Sequence, residues 1–306
     1  MRVLIIGATG LLGKALLGEW DFDEVTGASS RDADIREPAQ LRALFARVRP
    51  EWTVLAAAYT DVDGCEKHPE LAHRVNCVGA GNVARTAREC GSQLMFLSTD
   101  YVFDGKKPLP YETDDPVAPM SVYGRTKAAG EAAVREILPE ACIARTSWLF
   151  GVDGKCFPNR ILRLAETQRE LSVVADQRGS PTFNRDLARA IMQLCRAGVR
   201  GTVHVTNSGH CSWYEFAQEL VRGAGLTEVI VKSICTDESS RPAARPKNSV
   251  LSNGSLQRLY GISLRTWQEA VRVYLHEKRH DCLVQERRAL AVSAGERVMN
   301  AEGGKS

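Results

Sequence analysis

The stretch that decides the fold is "RVLIIGATGLLGKAL", residues 2–16. Its apolar, β-branched first half predicts a buried strand, and its second half has the periodicity of a helix. Gly7, Gly10 and Gly13 lie between the two. Glycines here allow a tight turn and a close approach to phosphate, and the helix N-terminus offers free N–H groups to an anion. A ligand-free glycine turn has the same pattern, but the strand-turn-helix context favours a dinucleotide site.

Further apolar runs alternate with helical patterns along the first half of the chain. The predicted strands cover residues 2–8, 24–29, 53–58, 93–99 and 142–148. One predicted helix begins after Gly10, and three more cover residues 38–47, 69–90 and 121–137. Apolar strands separated by helices indicate a parallel sheet that is covered on both faces. We therefore predict an α/β protein with a Rossmann-type doubly wound parallel sheet.

The pattern changes after about Phe150, where shorter strands and helices alternate, one of the helices opened by Ser212 as its cap. The pattern of this half predicts a smaller mixed α/β domain that binds the substrate. Its segments alternate along the chain with those of an NAD(P)-binding domain. A charged, glycine-ended tail is expected to be partly disordered. The predicted ranges are 1–147 and about 181–207 for the NAD(P) domain, about 148–180 and 208–280 for the substrate domain, and 281–306 for the tail.

Composition limits the classes of function. The 306 residues carry a formal net charge of +3, and 44% are hydrophobic, which is typical of a globular protein and does not favour nucleic acid as a partner. No apolar stretch approaches the length of a membrane span, and the chain opens on a strand pattern, not an export signal. The nine scattered cysteines favour reduced thiols in the cytoplasm over a disulfide frame or a metal site. The sequence is compatible with both a monomer and a homodimer.

The end of the second predicted strand bears on the choice of cofactor. An acidic residue there would bind the adenosine ribose of NAD, but the chain has Ser30 and Arg31 instead. An arginine beside hydroxyls can hold a 2′-phosphate, which favours NADPH and leaves NADH open; Arg31 is equally compatible with a solvated surface position. Asp34 and Ile35 follow and are expected to flank the adenine. Small side chains that let a flat ligand pass close to the third strand are Ala57 and Ala58.

A possible catalytic group follows the fourth predicted strand. Thr99 and Asp100 end that strand, and Tyr123 and Lys127 lie four residues apart on one face of a helix. A free tyrosine has a pKa of about 10, and a nearby ammonium group lowers it toward the working range. Tyr123 can then protonate a carbonyl oxygen as hydride reaches the carbon, while Thr99 holds the same oxygen and Lys127 reaches the nicotinamide ribose.

Several motifs occur together in the order of a known family. They are "GATGLLG", "AAAYTDVDGCE", "FLSTDYVFDG", "YGRTKAAGE", "RTSWLFG", "DQRGSPT" and "RPKNSVLSN". From Met1 to about Leu275 the chain resembles the dTDP-4-dehydrorhamnose reductases, which are extended short-chain dehydrogenase/reductases. The resemblance implies that NADPH or NADH reduces dTDP-6-deoxy-β-L-lyxo-4-hexulose, a sugar nucleotide, to dTDP-β-L-rhamnose.

The same resemblance implies roles for individual residues. The catalytic trio it implies is Thr99, Tyr123 and Lys127. The implied cofactor contacts are Gly10, Leu11, Leu12, Asp34, Ile35, Ala58, Tyr59 and Thr60. The implied substrate contacts are Thr99, Asp100, Tyr123 and Trp148.

Two departures and two alternatives accompany the resemblance. Ala15 stands where some members have a metal-binding glutamate, so no metal site is predicted, and Tyr59 stands where a histidine is frequent. Arg241 and Arg245 lie where a diphosphate could be held, or on the surface. The alternatives are a non-catalytic regulatory subunit of the methionine adenosyltransferase type, and a reductase of another 4-keto nucleotide sugar.

Overall fold

The computed structural model describes residues 1–21, 23–239 and 241–280; the predicted disordered tail, 281–306, lies outside them. The strands are β1 (Arg2–Ile6), β2 (Glu24–Ala28), β3 (Trp52–Leu55), β4 (Gln93–Thr99), β5 (Cys142–Thr146), β6 (Leu149–Phe150), β7 (Glu170–Val174), β8 (Arg178–Gly179), β9 (Thr182–Phe183), β10 (Gly201–His204), β11 (Cys211–Ser212) and β12 (Ile230–Ile234). The helices are α1 (Leu11–Glu19), α2 (Pro38–Val48), α3 (Val62–Lys67), α4 (Pro69–His73), α5 (Ala80–Glu89), α6 (Val122–Ile137), α7 (Phe157–Ala165), α8 (Asn184–Arg196), α9 (Trp213–Ala224), α10 (Gly254–Tyr260) and α11 (267–280).

Six strands form one parallel sheet in the order β10-β5-β4-β3-β1-β2. From β1 the chain adds β2 on one side, then returns and adds β3, β4, β5 and β10 on the other. Ligands of doubly wound sheets bind at the carboxyl ends of the strands, where the winding direction reverses. Here the reversal lies between β1 and β3, directly beside the glycine turn. The predicted doubly wound fold is confirmed.

Alternation along β1 explains why the sheet is buried on both faces. Val3 and Ile5 join a core with residues of α1 and α8, whereas Leu4 and Ile6 join a second core with residues of α2 and α5. All four side chains are at most 2% exposed. Burying such a side chain contributes roughly 1.5–3 kcal/mol to folding, so a continuous apolar strand suits a sheet with helices on both faces.

The helix predicted over residues 69–90 is divided in the structure. A π-helical segment, Arg74–Gly79, separates α4 from α5. Within it, the Asn76 side chain accepts a hydrogen bond from the Tyr59 N–H at 2.8 Å and donates to the Tyr59 carbonyl and to Thr126 Oγ1, both at 3.1 Å. The wider turn thereby joins the loop after β3 to α6. Helical periodicity in the sequence does not distinguish this turn from an α-helix.

A third core supports the other half of the chain. Phe150, Ile161, Phe216 and Trp267 lie in it, with contributions from α7, α9 and α11. Short strand pairs, β6 with β9, β11 with β8 and β12 with β7, surround it. The predicted cap on α9 is confirmed, because Ser212 and Glu215 form a reciprocal capping box. The domain boundaries themselves stay a prediction.

In the described ranges, no helix combines the length and the apolar character that crossing a membrane requires.

We expect Gly130→Ala to destabilise the packing of α6 against the π-helical segment. A Cβ at residue 130 would lie 2.3 Å from the Asn76 carbonyl oxygen, and backbone cannot yield as a flexible side chain does. Overpacking of this kind costs about 1–3 kcal/mol of unfolding free energy, measurable by urea denaturation. Gly18→Ala on α1 is the matched control, because among the described residues no atom lies within 4 Å of its added Cβ. Equal stability of Gly130→Ala and wild type would contradict this account of the contact.

Candidate active site

A cleft of about 840 Å³ opens at the carboxyl ends of the sheet strands and extends to α9. It gathers most of the residues predicted to bind cofactor or substrate or to act in catalysis, whereas Arg31, Arg241 and Arg245 are not among its lining residues. The predicted residues that line it are Gly7, Gly10, Leu11, Leu12, Gly13, Ser30, Asp34, Ile35, Ala57, Ala58, Tyr59, Thr60, Thr99, Asp100, Tyr123, Lys127 and Trp148.

The glycine turn forms one end of the cleft. Gly7 has φ +96°, a conformation that L side chains rarely adopt, and a Cβ there would lie 2.5 Å from the Ala57 nitrogen. Within the described residues no side-chain hydrogen bond caps α1 at Gly10. The first N–H groups of α1 therefore remain available to an anion, which fits the diphosphate of a dinucleotide.

The adenosine side differs from the sequence prediction. Ser30 lines the cleft, whereas Arg31 is exposed and lies outside the lining. Arg36 lines the cleft instead, and its Nε donates to Asp34 Oδ1 at 2.9 Å and Oδ2 at 3.0 Å. Hydrogen bonds from Arg36 lower the pKa of Asp34. Arg36 thus lines the cleft, as Ser30 does, and the sequence did not single it out because its contact with Asp34 is made by the fold. The role of Arg31 stays a prediction.

Thr99 and Tyr123 meet above the end of β4. Thr99 Oγ1 donates to Asp100 Oδ1 at 3.0 Å, and Thr99 also lowers the pKa of Tyr123. Tyr101, a lining residue that was not predicted, packs edge-on against Tyr123 with ring centroids 5.6 Å apart. Burial raises the pKa of Tyr123 above its ordinary value, and this effect is larger than the lowering by Thr99. The Tyr123 phenol is therefore held in its protonated form.

Lys127 lies fully within the protein beneath the cleft. Its Nζ donates to the Leu97 carbonyl at 2.6 Å and lies 4.1 Å from the centroid of the Phe96 ring. Burial lowers the pKa of Lys127 to about 7, so that its charge is lost close to neutral pH. The expected lowering of the Tyr123 pKa by Lys127 stays a prediction, since burial sets the opposite direction for that phenol in this structure.

Asp100 is a buried carboxyl at the end of β4. Burial raises its pKa to about 7, against smaller lowering effects of hydrogen bonds with Ser249 and Thr99. The loss of water thus shifts both pKa values to about 7, that of Lys127 downward and that of Asp100 upward, because burial disfavours the charged form of each group. The cleft floor holds an acid and a base that both change charge near pH 7.

Trp148 lines the cleft together with Trp213, a residue that was not predicted. Its ring stacks on that of Trp213, at the start of α9, with centroids 3.5 Å apart and planes 6° apart. Trp148 has φ 47°, and a side chain other than glycine in this region costs about 1–3 kcal/mol, which the surrounding packing must offset. No spacing in the sequence relates residues 148 and 213, so only the fold reveals the pair.

This combination defines a class of protein. A doubly wound sheet, a glycine turn after β1, and a Tyr and a Lys four residues apart beside a strand-end Thr are the features of an extended short-chain dehydrogenase/reductase. Within it, the chain belongs to the RmlD substrate binding domain family, whose model matches residues 1–280.

Individual relatives agree with this assignment. The spore coat polysaccharide biosynthesis protein SpsK of Bacillus subtilis (strain 168) is 40% identical over 92% of this chain and 99% of its own length. The dTDP-4-dehydrorhamnose reductase of Mycolicibacterium smegmatis is 38% identical over 88% of this chain and 84% of its own. The crystal structure of the dTDP-4-dehydrorhamnose reductase of Bacillus anthracis in complex with NADP is 39% identical, with a TM-score of 0.87, covering 90% of this chain and 99% of that one.

We expect Asp100→Asn to change how stability depends on pH. Between about pH 4 and 7 the folded protein keeps a proton on Asp100 that the unfolded chain releases, so stability falls as pH rises through this window. The asparagine amide cannot ionise. The free energy of unfolding of the variant therefore rises relative to that of wild type as pH rises, by on the order of a few kcal/mol. Urea unfolding at about pH 4.5 and about pH 7.5 measures the difference. The same difference at both pH values would contradict the raised pKa.

Proposed function

We propose that the chain is a dTDP-4-dehydrorhamnose reductase, an oxidoreductase that converts dTDP-6-deoxy-β-L-lyxo-4-hexulose to dTDP-β-L-rhamnose with NADPH or NADH. The observation that carries the proposal is the cleft, which places Thr99, Tyr123 and Lys127 beside the glycine turn. Family membership and relatives of 38–39% identity that carry this name support it.

The residues of the cleft suit reduction of a ketone. When bound, the nicotinamide cofactor supplies the hydride. Tyr123 donates the proton to the carbonyl oxygen, and Thr99 binds the same oxygen as negative charge develops on it. A phenol kept protonated by burial is ready to act as the donor. Lys127 stabilises the phenolate left behind, provided that it carries its ammonium charge.

Two features favour a sugar nucleotide as substrate. The stacked pair of Trp148 and Trp213 presents an aromatic wall, a surface suited to a sugar ring or a base. Arg241 lies near Arg245 and Arg160; partial desolvation first, and then these two cations, lower its pKa. The cluster contains one carboxylate, since Arg245 Nη2 forms an ion pair with Asp63 Oδ2 at 2.9 Å and Asp63 raises the pKa of Arg241. The three arginines outnumber it, and we assign to them the binding of the substrate diphosphate.

The cofactor site favours NADPH through Arg36 and Ser30, and NADH stays open. Arg36 donates a hydrogen bond to Asp34 in this structure, so a bound 2′-phosphate and the Asp34 carboxylate would both contact this arginine. The cytoplasmic location is a proposal that rests on the nine scattered cysteines, which favour reduced thiols. Monomer and homodimer both stay open.

A reductase of another 4-keto nucleotide sugar is the alternative that the structure favours next. The aromatic wall on the substrate side depends on Trp213, which belongs to the third core and not to the sheet. Sugar specificity can therefore change there without change to Thr99, Tyr123 or Lys127. A regulatory subunit without activity has less support, because all three of these residues line the cleft.

We expect purified protein to oxidise NADPH when it is supplied with the 4-keto-hexulose, and Tyr123→Phe to lose at least about 100-fold in kcat because it lacks the proton donor. NADPH affinity, followed by cofactor fluorescence, should stay near the wild-type value. Tyr260→Phe, outside the cleft lining, is the matched control. Turnover of Tyr123→Phe at the wild-type rate would refute the donor assignment. Wild-type protein that binds NADPH but oxidises it only with a different 4-keto sugar would support the alternative.

The diphosphate assignment has its own test. Arg241→Ala should raise KM for the sugar nucleotide about tenfold or more, because hydrogen bonds to charged groups contribute roughly 1.5–3 kcal/mol. KM for NADPH should not change. Arg163→Ala on α7, an exposed arginine outside the cluster of Arg160, Arg241 and Arg245, controls for the loss of a surface cation. A parallel rise in KM for NADPH would place Arg241 at the cofactor and contradict the assignment.

A further inference from the structure

One buried carboxylate lies on the helix of Tyr123 and Lys127 without a part in the reaction described above. Glu131 is four residues beyond Lys127 on α6, so the two side chains lie on the same face of the helix. It is 1% exposed and Lys127 is 2% exposed. A carboxylate so deeply buried is costly unless other groups hold it in place.

Three side chains hold the Glu131 carboxylate. Ser98 Oγ, on β4, donates to Oε1 at 2.6 Å. Arg145, on β5, donates to both oxygens, from Nε to Oε1 at 2.9 Å and from Nη2 to Oε2 at 2.7 Å. Arg135, one helical turn further along α6, adds a contact of 3.0 Å to Oε2. Burial alone would raise the pKa of Glu131, but these partners outweigh it and keep the group ionised.

Lys127 needs a nearby negative charge more than most lysines do. Its Nζ has a hydrogen bond to the Leu97 carbonyl and the face of Phe96, and burial acts against its charged form. Glu131 acts in the opposite direction and favours the ammonium. Since the proposed role of Lys127 is to stabilise the Tyr123 phenolate, a neutral Lys127 would not perform it.

We propose that Glu131 is a positioning residue of the reaction: fixed by Ser98 and Arg145, its carboxylate supplies the countercharge that extends the ammonium form of Lys127 to higher pH. The proposal rests on the reductase function proposed above for Tyr123 and Lys127. It explains why a glutamate, rather than an apolar residue, occupies this buried position between α6 and the sheet.

Other titratable groups surround this pair and have to be told apart from it. Asp100 changes charge in the same range as Lys127, so the pH dependence of the rate alone does not identify Lys127. Arg145 and Arg135 act on Glu131, and Glu131 and Arg145 act in turn on His204. Asp100 and Cys65 act on Tyr123, which precedes Lys127 by one helical turn.

The decisive experiment follows Lys127 itself. The full chain is labelled with ¹³C-lysine, the Lys127 signal is assigned by its loss in Lys127→Met, and its titration is followed by NMR. In wild type we expect a midpoint near pH 7, and in Glu131→Gln a midpoint about one pH unit lower, the lower end of what one close opposite charge contributes. Glu136→Gln, an exposed carboxylate on the same helix, should leave the midpoint unchanged.

Kinetics give a second readout. In Glu131→Gln, Lys127 loses its proton at a pH about one unit lower than in wild type. The kcat of this variant should therefore be about tenfold below wild type at about pH 8 and within about twofold at about pH 6. An equal titration midpoint in wild type and Glu131→Gln would overturn the proposal. Because the NMR titration needs no turnover, a wild-type protein inactive on the 4-keto sugar would refute the proposed function and leave this measurement readable.

Glu131→Gln leaves Arg145 buried without its partner and can fail to fold. The double variant Glu131→Gln/Arg145→Met removes both charges, and replacement of a buried ion pair by apolar volume is often neutral for stability. Its Lys127 midpoint should still fall, by less than in the single variant, because a nearby cation leaves with the carboxylate. An unchanged or raised midpoint in the double variant would also overturn the proposal.

Discussion

The buried ion pair of Glu131 and Arg145 determines where α6 meets the sheet. Both side chains are almost fully enclosed, and Ser98 completes the contact, so one carboxylate joins α6 to β4 and β5. The residues that follow these contacts in sequence are Thr99 on one strand and Thr146 on the other. A shift of this pair would move the Tyr123 phenol relative to Thr99, and the geometry of the cleft floor therefore depends on it.

Exclusion of water is the common cause of the chemistry of the cleft. It raises the pKa of Tyr123 and of Asp100 and lowers that of Lys127, so each group is held closer to its neutral form than it would be in water. A low-dielectric floor also strengthens any new charge interaction. Under the proposed function, a dinucleotide with its phosphates at α1 and a sugar nucleotide beside Arg241 would change the charge balance of these groups.

Features encoded locally were predictable from the sequence, and features made by distant contacts were not. The turn at Gly7 and the cap at Ser212 depend on neighbouring residues, and both have the predicted geometry. Arg31 was chosen for its place in the sequence; in the structure it is exposed while Arg36 lines the cleft, and the role of Arg31 at the cofactor stays a prediction. The pairing of Trp148 with Trp213 spans 65 positions and has no periodic signal. The same holds for the π-helical turn, whose cause is the packing of Asn76 on two other segments.

The stacked indoles of Trp148 and Trp213 give the protein an optical property as well as a binding surface. Two parallel rings 3.5 Å apart have coupled electronic transitions, so their near-ultraviolet circular dichroism and emission depend on the distance and angle between them. Trp148 is fixed by its left-handed backbone at the end of β5, whereas Trp213 is carried by α9. The spectrum of the pair therefore records the position of α9 relative to the sheet, without any attached dye.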